Sequence, residues 1–273
     1  MKTMEKYLPT GNEMISIPTL MESNAAIMGI TFLHMGFKGL VEISGVDETK
    51  PLLKPFVKLN GKEEDINKIS WERLDYWIPC FQASAGMLDI EGIILTPVGE
   101  RGFIYRLMLI NRGIERVSTS LGLKGCWGRS IHEINESKEI KATKHVYESG
   151  WNHSIVFDLR GTASLFSFAP IFEEEMEVEY KLNSEVNEIE FVITKTIELE
   201  PGGEYTANFY WGFGFEEVGS ATAAKEMLRR GFEYEKAYTG RWLSDRAKTT
   251  GNDGLDRIMN TNMFFNFFFA SGV

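Results

Sequence analysis

The feature that most constrains the fold is a change of hydrophobic period close to residue 219. From residue 189 to residue 215 apolar and polar residues alternate, which is the period of two of a half-buried β-strand. The turn sequence Glu200-Pro201-Gly202-Gly203 divides this stretch, and proline followed by glycine favours a type II turn. Two alternating runs around a short turn predict an antiparallel hairpin.

From Ala223 to Trp242 the period becomes helical. The apolar side of this predicted helix carries Ala224, Met227, Leu228, Gly231, Tyr234, Tyr238 and Trp242. Ser220 or Thr222 can cap its first turn. A helix with one apolar face packs on something apolar, so we expect it to lie on a sheet built earlier in the chain.

The chain before this point is rich in strand patterns and shows no repeat period. About twelve or more short alternating segments predict an all-β protein, a large antiparallel β-sandwich. A second hairpin is predicted around Asn111-Arg112-Gly113. Residues 46–68 are polar and contain two prolines, so we expect them to leave the sheet.

The C-terminal segment combines a helix start with an unusually apolar end. Asn252 or Asp253 can cap a helix, and residues 263–270 are apolar on nearly every side. Such a helix is expected to be buried all round, and it is too short to span a membrane. Either the natural polypeptide continues beyond Val273, or this helix is buried in the sandwich or in a homodimer interface.

Composition excludes some classes of function. The 273 residues carry a formal net charge of −10 with a pI near 5.1, which argues against nucleic-acid binding because phosphates need a basic face. The sequence contains no stretch of about 20 apolar residues, so we predict no membrane span. Residues 1–17 lack the apolar segment of a signal peptide. Cys80 and Cys126 predict free thiols in the cytoplasm. We predict neither metal nor cofactor.

The most unusual local sequence is Trp-Glu-Arg-Leu-Asp-Tyr-Trp-Ile-Pro at residues 71–79. Aromatic faces stack on sugar rings and neighbouring carboxylates bind hydroxyl groups, so a carbohydrate site is one interpretation. Its predicted sugar-contact residues are Trp71, Asp75, Tyr76 and Trp77. Glu72 and Asp75 form the best local pair of carboxylates. The other interpretation is that the aromatic rings anchor an excursion of the chain to the sandwich.

Histidines offer a second kind of site. A sugar epimerase of the mutarotase type needs a histidine base and a carboxylate in one cleft, and His145 and His153 flank Trp151. A single histidine on a strand is more often a packed residue. Gly212 and Gly214 lie inside an alternating run rather than at a strand-to-helix turn, so no dinucleotide site is predicted.

A family resemblance follows from the order of these segments. A long β-sandwich, the turn at Leu199–Gly203, a strand, an Ala-rich helix, the triplet Arg241–Leu243 and an Asn/Phe-rich helix follow one another. This order resembles the N-terminal region of six-hairpin glycosidases, especially of the glycogen-debranching or amylo-α-1,6-glucosidase type. The resemblance implies a galactose-mutarotase-like supersandwich followed by a linker helix and by the first helix of an α/α toroid.

The resemblance also implies a domain plan and a function. Residues 1–219 would form the supersandwich, residues 220–248 the linker helix, and residues 249–273 the start of a truncated helical domain. The expected function is the non-catalytic N-terminal domain of a glycoside hydrolase acting on an α-glucan or related oligosaccharide, with its catalytic carboxylates downstream of Val273. Its partners would be carbohydrate and its own downstream helical domain. A standalone mutarotase-like epimerase and a sugar-binding module remain alternatives.

Overall fold

The computed structural model describes residues 8–34, 36, 39–133, 137–150 and 152–269. The strands in these residues are β1 (Thr10–Gly11), β2 (Ile15–Ile17), β3 (Gly29–His34), β4 (Gly39–Ser44), β5 (Lys54–Leu59), β6 (Lys62–Glu64), β7 (Asn67–Leu74), β8 (Ile78–Ala85), β9 (Leu88–Leu95), β10 (Gly102–Asn111), β11 (Val117–Trp127), β12 (Arg129–Glu133), β13 (Ser137–Glu139), β14 (Thr143–Glu148), β15 (Ile155–Arg160), β16 (Ser164–Phe172), β17 (Glu177–Asn183), β18 (Glu188–Leu199) and β19 (Glu204–Gly214). The helices are α1 (Glu217–Arg230), α2 (Phe232–Ser244) and α3 (Asp253–Phe269).

Three antiparallel sheets share one apolar core. The eight-stranded sheet has the order β14-β15-β16-β19-β10-β9-β8-β7, the five-stranded sheet β17-β18-β11-β5-β6, and the six-stranded sheet β1-β2-β3-β4-β12-β13. Buried side chains from all three meet in one cluster, including Phe157, Leu121 and Val41. The predicted all-β antiparallel sandwich is confirmed.

Both predicted hairpins are wrong, although the predicted turn at Glu200–Gly203 forms. Gly203 N–H donates to Glu200 O at 2.8 Å, and Gly202 takes the positive φ of 73° that the turn needs. However, β18 pairs with β11 and β17, whereas β19 pairs with β10 and β16 in the other sheet. The β10–β11 connection likewise crosses between sheets. An alternating pattern shows only that one side of each strand is buried. Two consecutive strands have such a side whether they pair as a hairpin or belong to different sheets.

Asn111 connects the two chain segments that pass from one sheet to the other. Its main chain exchanges hydrogen bonds with Gly202 and Gly203, at 2.8 and 3.0 Å. Its fully buried amide donates to Glu115 O at 2.9 Å and Leu199 O at 3.1 Å. The two points where the chain changes sheet therefore support each other.

Residues 46–68 do not leave the sheet as predicted. They contain β5, which pairs with the central strand β11 from Lys54 to Leu59, and the short strand β6. Phe56 and Val57 are buried there despite the polar residues around them. The prolines are tolerated because Pro51 precedes β5 and Pro55 lies outside the part of β5 that pairs with β6.

The single helix predicted for residues 223–242 is two helices. Gly231, with φ 83° and ψ 155°, ends α1 and precedes α2. The helical region begins at Glu217, so neither Ser220 nor Thr222 caps it. Ser220 lies inside α1, and its hydroxyl is 2.9 Å from the hydroxyl of Ser167.

The glycines of β19 allow α1 to lie against the eight-stranded sheet. A Cβ at Gly212 would be 2.1 Å from Ser220 O, and one at Gly214 would be 2.4 Å from Ser220 N. Backbone therefore meets backbone here, as the expected packing of a helix on the sheet requires.

The cap of α3 is confirmed, and within this chain the helix is covered on one face only. Leu255 N–H is bonded to Asn252 Oδ1 at 3.1 Å. Phe264 and Phe268 are buried, whereas Phe265 and Phe267 are exposed. Ala270, the end of the apolar segment, lies outside the described residues. Within those residues, no helix is both long and apolar enough to cross a membrane.

Candidate functional site

The predicted sugar-contact residues lie on an edge hairpin of the eight-stranded sheet, not on an excursion from it. Strands β7 and β8 pair from Asn67 to Ser84. Trp77 N–H donates to Leu74 O at 3.0 Å across the turn, and Asp75 and Tyr76 have φ values of 49° and 64°. Positive φ at both central residues is the mark of a type I′ hairpin turn. The sequence signal was missed because neither residue is the usual glycine.

Trp71 lies apart from the other three residues. Its cross-strand partner is Phe81, whose ring centroid is 4.9 Å away, and both rings pack towards the sandwich core. The indole N–H donates to Glu22 O at 2.9 Å. Trp71 therefore fixes the neighbouring loop to the sheet.

Trp77 belongs to a second apolar cluster, between the sheet and the helices. Its side chain is only 1% exposed, and its indole N–H donates to Gly11 O at 2.7 Å. The rings of Phe264 and Phe268 lie 6.4 and 5.5 Å away. In this structure the indole offers no open face to a sugar ring.

Arg73 contacts both the main chain and the ring of Trp77. Its guanidinium donates to Trp77 O at 3.0 Å and Pro9 O at 2.9 Å, and it lies 5.6 Å from the indole centroid. Burial lowers the pKa of Arg73 to about 10, so this side chain is still a cation at neutral pH. It ties the hairpin to the N-terminal segment.

Asp75 and Tyr76 contact the helices from the same turn. Ser244 Oγ of α2 donates to Asp75 Oδ1 at 3.3 Å, and Thr261 Oγ1 of α3 donates to Tyr76 O at 3.2 Å. A Cβ at Gly240 would lie 2.7 Å from Asp75 Oδ2, so α2 passes close to this carboxylate. The structure thus brings Asp75, Tyr76 and Trp77 together as a seat for α2 and α3.

Two buried polar side chains fix the start of α3. Asp256 Oδ1 accepts from Thr250 N–H at 2.7 Å. Asn260 accepts from Lys248 N–H and donates to Lys248 O, both at 2.8 Å. These bonds satisfy the backbone between α2 and α3, so the helix is held by polar as well as apolar contacts.

The opposite face of α3 is exposed and largely apolar, with Asn262 between Ile258 and Phe265. Leu255 is 51% exposed, Ile258 63% and Phe265 41%. Spacings of three and seven residues place these three side chains along one side of the helix. The helix α3 therefore has one covered apolar face and one largely apolar face that is open.

The histidines do not meet in one site. His153 Nδ1 lies 2.8 Å from Glu148 Oε1 in an open cleft, whose lining also includes Lys225. His145 lies on β14 and does not line that cleft. Trp151, which separates them in sequence, lies outside the described residues.

A cleft that sequence reasoning missed lies between the outer face of the eight-stranded sheet and α2. It has a volume of about 320 Å³, and its lining includes Glu72, Gln82, Glu91, Arg106 and Lys236. Four strands contribute to its floor, because Glu72, Cys80, Ile93 and Arg106 are successive cross-strand neighbours. Asp75 is not part of the lining, so the carboxylates of Glu72 and Asp75 do not share this cleft.

The electrostatics of the cleft keep its thiol protonated. Burial, and then the charge of Glu72, raises the pKa of Cys80. Both cysteines are free thiols, as predicted. Within the described residues, no group of three or more histidine, cysteine or acidic side chains could hold a metal ion.

Comparison with known proteins gives a fold and no family. The sequence matches no protein-family profile and no curated protein. The structure resembles a bacterial glucoamylase complexed with acarbose, with a TM-score of 0.57 and 11% identity over 94% of this chain. It also resembles a polysaccharide lyase, with a TM-score of 0.52 and 12% identity over 80% of this chain.

A third similar structure is a candidate aldose 1-epimerase from Escherichia coli K12, with a TM-score of 0.51 and 8% identity. That match covers 77% of this chain and 99% of the other protein. In contrast, the match spans only 40% of the glucoamylase and 35% of the lyase. At these identities the likeness establishes the mutarotase-like sandwich with helices at its C-terminal end.

Proposed function

We propose that this chain is the N-terminal sandwich region of a six-hairpin glycoside hydrolase of the glycogen-debranching type, acting on an α-glucan or a related oligosaccharide. In this proposal the sandwich, residues 1–219, and the linker, residues 220–248, support a helical catalytic domain that begins at residue 249. The chain itself supplies no catalytic carboxylate. Its neighbours in fold include carbohydrate-active enzymes of which it spans less than half, and this supports a role as part of a larger protein.

The observation that carries the proposal is the pair of apolar faces on α3. One face rests on Trp77 through Phe264 and Phe268. The other exposes Leu255, Ile258 and Phe265. Burying such a side chain contributes about 1.5–3 kcal/mol, so a second helix laid on this face would be held firmly. Paired helices of this kind make up an α/α toroid.

The reading frame beyond Val273 tests the proposal directly. We expect it to encode further amphipathic segments of helical period, containing the acid and base carboxylates. A stop codon directly after Val273 contradicts the proposal. As a second test, the longer protein should release glucose from maltotriose or panose, whereas the 273-residue chain should release none. Hydrolysis at the same rate by the 273-residue chain would place the chemistry within it.

Sugar contact at the β7–β8 turn remains part of the proposal for Asp75 and Tyr76. Asp75 is exposed and Tyr76 half-buried, so both can border a cleft formed with the helices that follow. Tyr76→Ala should therefore weaken glucan binding by the longer protein, while Trp71→Ala should not, because Trp71 faces the sandwich core. Equal losses in both variants would argue against a sugar contact at this turn.

The epimerase alternative has its own test. A mutarotase accelerates the interconversion of α- and β-glucose, which polarimetry follows. We expect no acceleration by the 273-residue chain, since His145 and His153 do not share a cleft. Acceleration that is lost in His153→Ala and kept in His132→Ala would support the epimerase instead.

A further inference from the structure

We propose that the cleft between β7–β10 and α2 is a binding site for a neutral sugar of one or two rings. This site lies on the described chain itself, and its existence does not rest on the proposed helical domain. Three properties of the cleft support this inference: its size, the pairing of its polar groups and its charge.

The size of the cleft suits a small polar ligand. Its volume of about 320 Å³ is at the lower end of the range found for ligand pockets, roughly 300–1,000 Å³. The lining includes the apolar side chains of Leu74, Ile93 and Met108. The C–H face of a pyranose ring can lie on such a floor while its hydroxyl groups reach polar atoms at the rim.

Hydrogen-bonding groups with open capacity converge on the cleft from neighbouring strands. Glu72, Gln82 and Glu91 come from β7, β8 and β9, and Lys236 comes from α2. Among the described residues, none of these four side chains has a hydrogen-bond partner in the structure. Carboxylates only accept, the ammonium only donates and the amide does both. This set matches hydroxyl groups, each of which donates and accepts.

The charges of the cleft favour a neutral ligand over an anionic one. Three carboxylates, Glu72, Glu91 and Glu233, face two cations, Arg106 and Lys236, which leaves one net negative charge. Arg106 is already paired with Glu233. A phosphate or carboxylate ligand would therefore meet two unpaired carboxylates and only one unpaired cation.

The wall of the cleft is fixed before any ligand arrives. The Arg106 guanidinium binds the carboxylate of Glu233 and lies 4.3 Å from the ring centroid of Phe232. Phe232 is buried and begins α2. The first turn of α2 is thus attached to the sheet, and a preorganised site loses less free energy on binding. We infer binding and not catalysis, because no histidine in the described part of the chain lines the cleft and its thiol stays protonated.

Alkylation of Cys80 tests the site. Cys80 lines the cleft and Cys126 is buried elsewhere, so Cys126 serves as an internal control. Iodoacetamide modification of each thiol is followed by mass spectrometry in rising concentrations of glucose or maltose. We expect either sugar to slow modification of Cys80 in a saturable way and to leave Cys126 unchanged. Saturation-transfer NMR on maltose should show contact in the same concentration range.

Isosteric variants make the test specific. Glu72→Gln and Glu91→Gln should each raise the half-protecting maltose concentration by about tenfold, the loss expected for one hydrogen bond to a charged group. Glu177→Gln, on the exposed strand β17, is the matched control and should change nothing. Circular dichroism verifies that all three variants fold.

Three results would overturn the inference. The first is that neither sugar protects Cys80 or shows saturation transfer. The second is that protection is the same in Glu72→Gln, Glu91→Gln and the unaltered chain. The third is tighter binding of glucose 6-phosphate than of glucose, which would show that the cleft selects an anion. None of these results depends on what the reading frame encodes beyond Val273.

Discussion

The two apolar clusters on either side of the eight-stranded sheet are built differently. The inner cluster lies between three sheets, and rings such as Phe157 and Phe168 are closed in on every side. The outer cluster lies between the sheet and three helices, and it includes Trp77. Its outermost element, α3, covers Trp77 with one face and leaves a second apolar face open.

This difference separates a core that is complete from one that an added layer can extend. The inner cluster is built from side chains of all three sheets, and these side chains are buried. The outer cluster continues through α3 to Leu255, Ile258 and Phe265, which are exposed. Both the cleft and α3 lie on this outer side of the sheet.

The largest effect is expected inside the sandwich. Phe157 lies 4.8 Å from Phe168 and 4.9 Å from Phe191, measured between ring centroids. Phe157→Ala should lower the free energy of unfolding by about 3–5 kcal/mol, because the buried ring leaves a cavity. Urea denaturation followed by circular dichroism measures this loss, which should appear as one shifted cooperative transition. Phe157→Leu, which keeps most of the volume, should cost clearly less. Equal losses in the two variants would argue against tight packing of the inner cluster.

A smaller and more local effect is expected at Trp77. Trp77→Ala removes the ring that seats Phe264 and Phe268 and the hydrogen bond to Gly11 O. We expect α3 to exchange its amide hydrogens much faster, while β10 and β11 stay protected. Hydrogen exchange measured by mass spectrometry on peptides from residues 253–269 provides the test. Trp77→Phe keeps an aromatic ring and should show an intermediate rate. If Trp77→Ala loosens the whole sandwich as Phe157→Ala does, the distinction between the two clusters fails.

Much of the fold could be predicted from the sequence, because a period of two records which side of a strand is buried. The sequence patterns predicted the strand content, the change to helices and the cap at Asn252. It could not show that β18 and β19 belong to different sheets, since pairing partners are set by the whole fold. Nor could it place β5, whose buried positions Phe56 and Val57 are hidden among lysines.

The candidate sites were harder to predict, and the reason is physical. The segment around Trp77 is unusual in sequence because it seats two helices, and a buried anchor and a sugar platform use the same residue types. The cleft had no local signal. Glu72, Glu91 and Lys236 are ordinary surface residues until strand order and the turn at Gly231 bring them together.

The smallest of these effects is expected at Gly231, the residue between α1 and α2 that sets the direction of α2. Its φ of 83° and ψ of 155° suit glycine alone, and no atom lies within 4 Å of a Cβ built there. Gly231→Ala should therefore cost about 1–3 kcal/mol through backbone strain without any clash. Gly161→Ala is the matched control, because Gly161 is equally open and has no positive φ. That substitution should be neutral or stabilise by up to about 1 kcal/mol, since it restricts the unfolded chain. Thermal unfolding of both variants gives the comparison. The same change in stability in both variants would mean that the backbone at Gly231 is not strained. A loss confined to Gly231→Ala, together with weaker protection of Cys80 by maltose, would show that this one residue positions the wall of the cleft.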